Sequence, residues 1–196
     1  MKISPDIVVA ESTADPSDVV EPVSSGLRLN LGCGRRKFDD AVNLDITPAT
    51  NPDVVHDLAI RPWPFDDSTF REVIAFDVIE HLDDFLGTME EIHRICEAGA
   101  TIDISVPHYS SRYAYTDPTH RRFFGVASMD YLSEEHAFGF YSEARFKVLR
   151  NQIFFEPSLL SRIVWRLANR FPDVYERRFA WLYPAWFVSF QLEVVK

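Results

Sequence analysis

Two short apolar segments joined through a glycine turn constrain the fold of this chain more than any other feature. Residues 27–31 (LRLNL) are typical of a buried strand, and Gly32-Cys33-Gly34 follow at once, where the backbone can turn and approach a ligand closely. A second strand is predicted at residues 42–45 (VNLD), with Asp45 at its carboxyl end. A strand, a glycine turn and a terminal acid are typical of one half of a nucleoside pocket, in which the carboxylate accepts hydrogen bonds from the ribose hydroxyls. Several nucleoside cofactors fit this description.

The length of the connection narrows the choice of cofactor. In a dinucleotide site a third glycine lets a helix pack closely, its amino end faces the pyrophosphate, and the ribose acid lies about 20 residues further on. Here Lys37 occupies the third glycine position, and Asp45 lies 13 residues after Gly32, with only the loop RRKFDDA between the turn and the second strand. A cofactor with an adenosine but no phosphate does not need that helix, and S-adenosylmethionine is the common one. A short dinucleotide oxidoreductase is the disfavoured alternative.

The charge balance and the cysteine content restrict the partners and the compartment. Among 196 residues, 30 acids against 20 Lys and Arg give a net charge of −10, which would repel a phosphate backbone, so nucleic acid is not an expected partner. Cys33 and Cys96 are too few to suggest a disulfide scaffold or a zinc site. The chain shows no secretory pattern and no apolar span of about 18 residues, so we expect a cytoplasmic protein without a transmembrane segment.

The rest of the first half alternates between strand and helix patterns. Residues 1–25 are rich in acids, proline and serine, which predicts a flexible arm ahead of one domain over residues 26–196. Further strands are predicted at 53–58, 72–77 and 101–106, and the segment DDFLGTMEEIHRIC has the spacing of a crossover helix. The expected fold is therefore α/β, with a single doubly wound Rossmann-like sheet that is mostly parallel.

The second half combines an aromatic segment with a C-terminal strand-helix-strand pattern. Residues 108–146 are rich in Phe, Tyr and His and break the alternation, which indicates a substrate lid over the carboxyl ends of the strands. RFKVLRNQIFF and AWFVSFQLEVVK alternate like strands, and we expect them to form an antiparallel hairpin at one edge of the sheet. The helix predicted between them carries one apolar face made of Leu160, Ile163, Val164, Leu167 and Phe171.

Five motifs in order resemble those of the small, type 11-like class I S-adenosylmethionine-dependent methyltransferases. They are the glycine turn, the acid Asp45, the segment HDL, the segment PWPFDDSTF and the segment DVIEHL. The resemblance implies a seven-stranded methyltransferase fold, S-adenosylmethionine as cofactor, and cofactor contacts at Asn30, Gly32, Cys33, Gly34, Asp45, Ile46, Asp57, Leu58, Phe76 and Asp77. The sequence departs from the family where Asn30 replaces the usual acid before the glycines and where Arg71 replaces an aspartate.

The lid supplies the candidates for proton transfer. His108 follows a strand at the edge where ligands bind in open α/β sheets, and His120 follows the turn signal Asp-Pro-Thr. Since histidine titrates near neutrality, these two residues are the candidate catalytic bases for a small-molecule acceptor methylated at oxygen or nitrogen. A structural role for each histidine is the alternative. A second alternative, at the level of the whole protein, is a catalytically inactive S-adenosylmethionine-binding protein that acts through a partner.

Two further patterns are open to a functional interpretation. Asp77, Glu80 and His81 have an acid-x-x-Glu-His spacing that resembles a divalent-metal motif of some methyltransferases, but a helix-start hydrogen-bond pair is the simpler interpretation, so no metal is assigned. The C-terminal helical segment carries a set of arginines, namely Arg162, Arg166, Arg170, Arg177 and Arg178. A solvated face is the default interpretation, and a partner, a homodimer or an anionic surface is the alternative.

Overall fold

The computed structural model describes residues 27–133, 136, 141–158 and 160–196. The arm predicted over residues 1–25 lies outside the described residues. Within them the chain forms a seven-stranded sheet in the order β3-β2-β1-β4-β5-β7-β6. The strands are β1 (Leu27–Leu31), β2 (Val42–Asp45), β3 (Val54–Val55), β4 (Phe70–Phe76), β5 (Cys96–Pro107), β6 (Arg145–Phe154) and β7 (Phe187–Val195).

The direction of the strands confirms the predicted fold class. Strands β1 to β5 pair in parallel, whereas β7 runs antiparallel to both β5 and β6. The C-terminal hairpin therefore closes one edge of a mostly parallel sheet, as the alternating patterns predicted. This order differs from the 3-2-1-4-5-6 order of dinucleotide-binding sheets, which argues against the oxidoreductase alternative.

Four helices accompany the sheet in the described part of the chain: α1 (Phe85–Ile95), α2 (Tyr113–Thr116), α3 (Ser161–Arg170) and α4 (Pro172–Arg178). Helix α1 begins after Asp84, whose side chain accepts a hydrogen bond from the Gly87 amide, and it buries Met89, Ile92 and Ile95 against the sheet. Residues 32–41, all of which are described, contain no helix between β1 and β2. The expected short loop is therefore confirmed. None of the helices in the described ranges is long and apolar enough to cross a membrane.

The strand predicted at 72–77 spans Phe70–Phe76, and the bounds of two other predicted strands differ more. The strand expected at 53–58 is only Val54–Val55, because the Asp57 side chain accepts a hydrogen bond from the Ala59 amide and the chain turns there. Strand β5 begins at Cys96 rather than at residue 101, directly after α1. Along β7 the side chains of Val188, Phe190, Leu192 and Val194 are all buried, since alternate residues of this strand face the core.

Helix α3 forms where its periodicity predicted, but the larger apolar side chains do not face the core. Its buried residues are Ser161 and Ala168, while Ile163 and Leu167 are 61% and 59% exposed. The small face packs on β6, where the Asn169 side chain accepts a hydrogen bond from the Ile153 amide at 2.8 Å and donates one to the Ile153 carbonyl at 2.9 Å. The Asn169 side chain thus pairs with the backbone of β6, the edge strand of the sheet. These bonds hold α3 with its small face toward β6 and its apolar stripe toward solvent.

Candidate functional site

The glycine turn after β1 is shaped by a close approach to the segment that follows β4. Gly32 and Gly34 both adopt left-handed backbone angles, with φ of +59° and +49°. A Cβ atom on Gly32 would stand 2.5 Å from a methyl group of Val78, so this position requires glycine for space as well as for conformation. The turn is thus held against the β4 end, as expected of a backbone that must line a pocket.

Asp45 connects this turn to the end of β2. Its carboxylate is 7% exposed and accepts hydrogen bonds from the Gly34 amide at 2.7 Å and from the Thr47 amide at 2.9 Å, one on each oxygen. Because each carboxylate oxygen has a second lone pair, Asp45 keeps the capacity to accept the two hydroxyl groups of a ribose. The order β2-β1-β4 places this acid, the glycine turn and the end of β4 along the same edge of the sheet.

A network of two asparagines supports the loop that replaces the missing helix. Asn30 is 3% exposed and donates hydrogen bonds from its side-chain nitrogen to the Arg36 carbonyl at 2.8 Å and to the Asn43 side-chain oxygen at 3.0 Å. Asn43 donates in turn to the carbonyls of Phe38 and Ala41 and to the Asp53 carboxylate. Asn30 thus fastens the loop in this structure. Its predicted contact with the cofactor would have to use the side-chain oxygen.

The remaining predicted cofactor residues take up varied positions. Ile46 is 63% exposed directly after Asp45, Asp57 caps a turn, Leu58 is buried, and Phe76 is half-buried at the end of β4. Asp77 has a left-handed φ of +56° and an exposed side chain. Cys33 is buried, and burial raises the pKa of its thiol.

Arg36 also belongs to this region, although the sequence patterns did not single it out. Its guanidinium lies 5.6 Å from the ring centroid of Phe76. The same positive charge acts on the neighbouring Asp77 carboxylate. A cation is therefore held at the end of β4, next to the glycine turn.

His108 is fixed inside the protein by hydrogen bonds to both ring nitrogens. The residue is fully buried, and its Nδ1 accepts a hydrogen bond from the Ser110 backbone amide at 3.1 Å. Because Nδ1 accepts, Nε2 carries the proton, and it donates to the Glu176 carboxylate at 3.0 Å. Burial raises the pKa of Glu176, but the hydrogen bonds from His108 and from the Val126 amide lower it more, so that it ends below the ordinary value. His108 therefore joins the lid to α4. This geometry does not support the assignment of His108 as a catalytic base.

His120 lies in a cluster with Glu80 and His81, which follow β4. The rings of His81 and His120 are 4.6 Å apart, and His120 Nε2 lies 3.9 Å from a Glu80 carboxylate oxygen. Burial raises the pKa of Glu80 to about 8. The backbone amides of Arg121 and Arg122 both donate to the Glu80 carbonyl, at 2.8 and 3.1 Å, and hold the lid segment against this turn.

A cavity of about 460 Å³ opens beside the lid, at some remove in sequence from the cofactor residues. Four of its ten lining residues are aromatic, and the lining also includes the charged Arg112 and Glu156; the aromatic residues are Tyr115, Trp181, Tyr183 and Trp186. None of the residues predicted to contact the cofactor is among those that line it. Its size is within the range of small-molecule sites.

Comparisons with solved structures show which class of fold this arrangement belongs to. A methyltransferase dependent on S-adenosylmethionine from Archaeoglobus fulgidus is 18% identical, with 86% of each chain covered and a TM-score of 0.58. One from Thermotoga maritima is 14% identical over 87% of this chain and 83% of that chain, with a TM-score of 0.54. The geranyl diphosphate C-methyltransferase of Streptomyces coelicolor, solved with Mg²⁺, geranyl diphosphate and S-adenosyl-L-homocysteine, is 12% identical over 87% and 71% of the two chains, with a TM-score of 0.56. No protein-family model and no curated protein matches the sequence.

These structures, together with the sheet order, define the fold as that of the class I S-adenosylmethionine-dependent methyltransferases. The resemblance deduced from five short motifs is confirmed at the level of the fold. At these identities the likeness describes the fold alone, so the activity has to be argued from the residues.

Proposed function

We propose that the protein transfers a methyl group from S-adenosylmethionine to a small-molecule acceptor, at oxygen or nitrogen. The observation that supports this most is the glycine turn joined to a buried acid, Gly34 to Asp45 at 2.7 Å, without a helix between β1 and β2. That arrangement suits an adenosine with an attached amino acid and lacks the helix terminus that would bind a diphosphate. The ribose hydroxyls would bind the unused lone pairs of Asp45.

The chain's own residues have a limited chemical task in such a reaction. Transfer from a sulfonium is an in-line displacement with a neutral leaving group, so the protein mainly has to hold the acceptor near the methyl group and exclude water. We assign both tasks to the lid over residues 108–146, whose aromatic side chains suit an apolar or aromatic acceptor. His120, which lies beside Glu80 at the end of β4, is the better candidate than His108 for accepting a proton from a hydroxyl acceptor.

Calorimetric titration of the full chain with S-adenosylmethionine tests the proposed pocket. We expect binding by the wild type, and about 10- to 100-fold weaker binding by Asp45→Ala, because the ribose hydroxyls lose a charged acceptor. Asp39→Ala serves as the matched control, since this acid is exposed in the adjacent loop. Unchanged affinity in Asp45→Ala, or binding of NAD in place of S-adenosylmethionine, would contradict the proposal.

Transfer itself is tested by the formation of S-adenosylhomocysteine. We expect its release when a pool of small hydroxyl, carboxyl and amine compounds is supplied with the cofactor. Cofactor binding without product from any acceptor pool would favour the alternative of an inactive binding protein that acts through a partner.

A further inference from the structure

We propose that Glu80, His81 and His120 form a binding site for one divalent first-row transition-metal ion. Metal binding at these three residues is independent of the proposed methyl transfer. A role of the ion in orienting the methyl acceptor would rest on that proposed function. The three residues come from two segments about 40 positions apart, and one ligand atom from each lies within 4.8 Å of the others. The turn after β4 and the lid are thus brought together around one small volume.

The Glu80 carboxylate is the first reason to expect an ion. The residue is 1% exposed, and among the described residues none donates a hydrogen bond to either of its two carboxylate oxygens. A buried carboxylate without a partner is costly, and such groups in native proteins are usually paired, protonated or bound to a metal. Nε2 of His120 lies 3.9 Å from one of these oxygens, which is too far for a hydrogen bond but compatible with an ion between the two atoms.

The hydrogen bonds of the two histidines are the second reason. The Thr119 hydroxyl lies 2.6 Å from an Asp117 carboxylate oxygen and 2.8 Å from His81 Nδ1. Because the carboxylate can only accept, the hydroxyl donates to Asp117 and must accept its second bond from His81 Nδ1.

His120 is oriented in the same way. Its Nδ1 lies 3.3 Å from the Ala114 carbonyl oxygen, which can only accept, so Nδ1 carries the proton here too. In the neutral form of either ring the proton is therefore on Nδ1, and Nε2 keeps its lone pair. Metal-binding histidines usually have this arrangement, with the other ring nitrogen donating to a carbonyl or to a group that leads to a carboxylate.

The ligand types indicate which ions would bind. Two imidazoles and one carboxylate are the protein ligands of catalytic zinc sites that keep an open position, and they also suit Fe²⁺. Mg²⁺ and Ca²⁺ prefer oxygen ligands and should bind weakly. The open position would allow a bound ion to polarise an oxygen of the acceptor, and the ion would then take the place of His120 as the group that activates it, because Nε2 would be occupied.

Calorimetry and Co²⁺ spectroscopy on the chelator-treated full chain, without S-adenosylmethionine, test the site. We expect one Zn²⁺ or Co²⁺ ion per chain, a visible Co²⁺ absorption band, and at least tenfold weaker binding of both ions by Glu80→Gln and by His120→Ala. The glutamine variant is informative even if the alanine variant is unstable, because it keeps the shape of the buried side chain. His93→Gln is the control, since that histidine lies on α1 and bonds to the Val195 carbonyl.

The outcomes separate the site from the methyltransferase proposal. Absence of Zn²⁺ and Co²⁺ binding by the wild type, equal binding by all four proteins, or a preference for Mg²⁺ would each overturn the metal site. Loss of metal binding in Glu80→Gln with unchanged S-adenosylmethionine affinity would support it, and failure of cofactor binding in the wild type would concern the proposed function alone.

A second proposal rests on a different part of the molecule, residues 160–182. Eight of the seventeen exposed large apolar side chains of the described residues fall within these 23 positions: Leu160, Ile163, Leu167, Phe171, Val174, Phe179, Trp181 and Leu182. Arg162, Arg166 and Arg170 run beside this stripe at four-residue spacing, and Arg177 and Arg178 follow in α4. We call these thirteen residues the α3–α4 surface.

The charges of this surface indicate what it binds. All five arginines are exposed, whereas of the two acids in the segment only Asp173 is exposed and Glu176 is occupied by His108. A strongly acidic chain thus carries a locally basic and apolar face. We propose that the α3–α4 surface binds an anionic lipid membrane, with the apolar side chains in the headgroup boundary and the arginines on the lipid phosphates.

A second copy of the chain fits this surface less well. A two-fold contact would bring two copies of the same basic patch together, and within this segment Asp173 is the one exposed acid that could pair with the arginines. Trp181 and Leu182, 66% and 79% exposed, are the side chains expected to enter the lipid first. The homodimer stays a prediction, and for this face we favour a membrane.

Sedimentation of the full chain with phosphatidylcholine vesicles, with and without phosphatidylglycerol, tests this proposal. We expect binding to the anionic vesicles only, a severalfold loss at high salt, and a severalfold loss in Trp181→Ser/Leu182→Ser and in Arg166→Gln/Arg170→Gln. Ile60→Ser and Arg35→Gln are matched controls on other exposed positions. No binding, equal binding to both vesicles, or a dimer in light scattering that these substitutions abolish would overturn it.

Discussion

The side-chain nitrogen of Asn30 donates a 3.0 Å hydrogen bond to the side-chain oxygen of Asn43, and both residues are buried beneath the loop that joins β1 to β2. Through this pair a loop without regular structure is fastened to two neighbouring strands. The loop in turn positions the glycine turn and Arg36 at the edge of the proposed pocket. A buried polar pair therefore replaces the helix that other nucleotide-binding folds place here.

The first prediction concerns Asn43. Asn43→Ala removes the hydrogen bonds that the Asn43 side chain makes with the Asn30 side chain, the Phe38 amide and the carbonyls of Phe38 and Ala41. This loss should lower the free energy of unfolding by about 2–3 kcal/mol. Urea denaturation measures the change. Asn151→Ala, which removes a single 3.3 Å bond to Val126, should cost less than half as much. Equal losses in the two variants would contradict the role given to the asparagine pair.

Gly32 gives a second prediction, on cofactor binding. Gly32→Ala combines a positive φ with a contact of 2.5 Å to Val78, and it should destabilise the fold by about 1–3 kcal/mol and weaken S-adenosylmethionine binding at least tenfold. Gly99→Ala has a φ of +78° but open space around it, so it should change stability alone. Adding Val78→Ala to Gly32→Ala should restore part of the loss; no recovery would show that the contact with Val78 is not the cause.

A third prediction concerns Arg36, because of its position over Phe76. An amino acid carboxylate of the cofactor would bind a guanidinium at this place, so Arg36→Ala should weaken S-adenosylmethionine binding about tenfold. Its backbone carbonyl is held by Asn30, and the loop should therefore keep its conformation in the variant. Arg35→Ala, one residue earlier and exposed, is the control. Calorimetry that finds the same affinity for both variants would exclude Arg36 from the pocket.

The fourth prediction is the pH dependence due to Glu176. The pKa of this carboxyl is below its ordinary value of 4.5 in the folded protein, so its ionised form favours folding. This stabilisation is present above about pH 4.5 and is lost as the pH falls through the lowered folded-state pKa. The groups facing the carboxylate are His108, Tyr109 and the Val126 amide.

Comparison with Glu176→Gln isolates that contribution. The wild type should exceed the variant in free energy of unfolding near neutral pH, and the difference should shrink as the pH is lowered below about 4.5. The exposed Glu143→Gln serves as the control and should show little difference at any pH. A difference that grows on acidification would have the wrong sign and would refute the interaction with His108.

Local patterns were sufficient for most of the sheet but not for the site around it. The strands at 27–31 and 42–45 and the helix over DDFLGTMEEIHRIC followed from hydrophobic spacing, since these segments are buried in the regular way that the pattern assumes. The loop asparagines gave no such signal. The motifs predicted that Asn30 contacts the cofactor, whereas its hydrogen bonds to Arg36 and Asn43 depend on contacts between separate segments.

The apolar stripe of α3 shows where periodicity misleads. Leu160, Ile163 and Leu167 were correctly placed on one helical face, but periodicity does not say whether a face meets the core or the solvent. The small residues Ser161 and Ala168 and the Asn169 amide allow a closer approach to β6, so the helix packs on that side. A membrane or another partner, rather than the core, is then left to cover the stripe.

By itself the sequence determined the class of fold and predicted where a nucleoside pocket would lie, because strand propensity, glycine turns and a terminal acid act over a few neighbouring residues. Only the tertiary structure determined the contacts of the two candidate histidines. His108 is buried against Glu176, and His120 lies next to Glu80 and His81. The physical reason is that hydrogen-bond partners and metal ligands are chosen by distance in space, and the 39 residues between Glu80 and His120 carry no local signal of that contact.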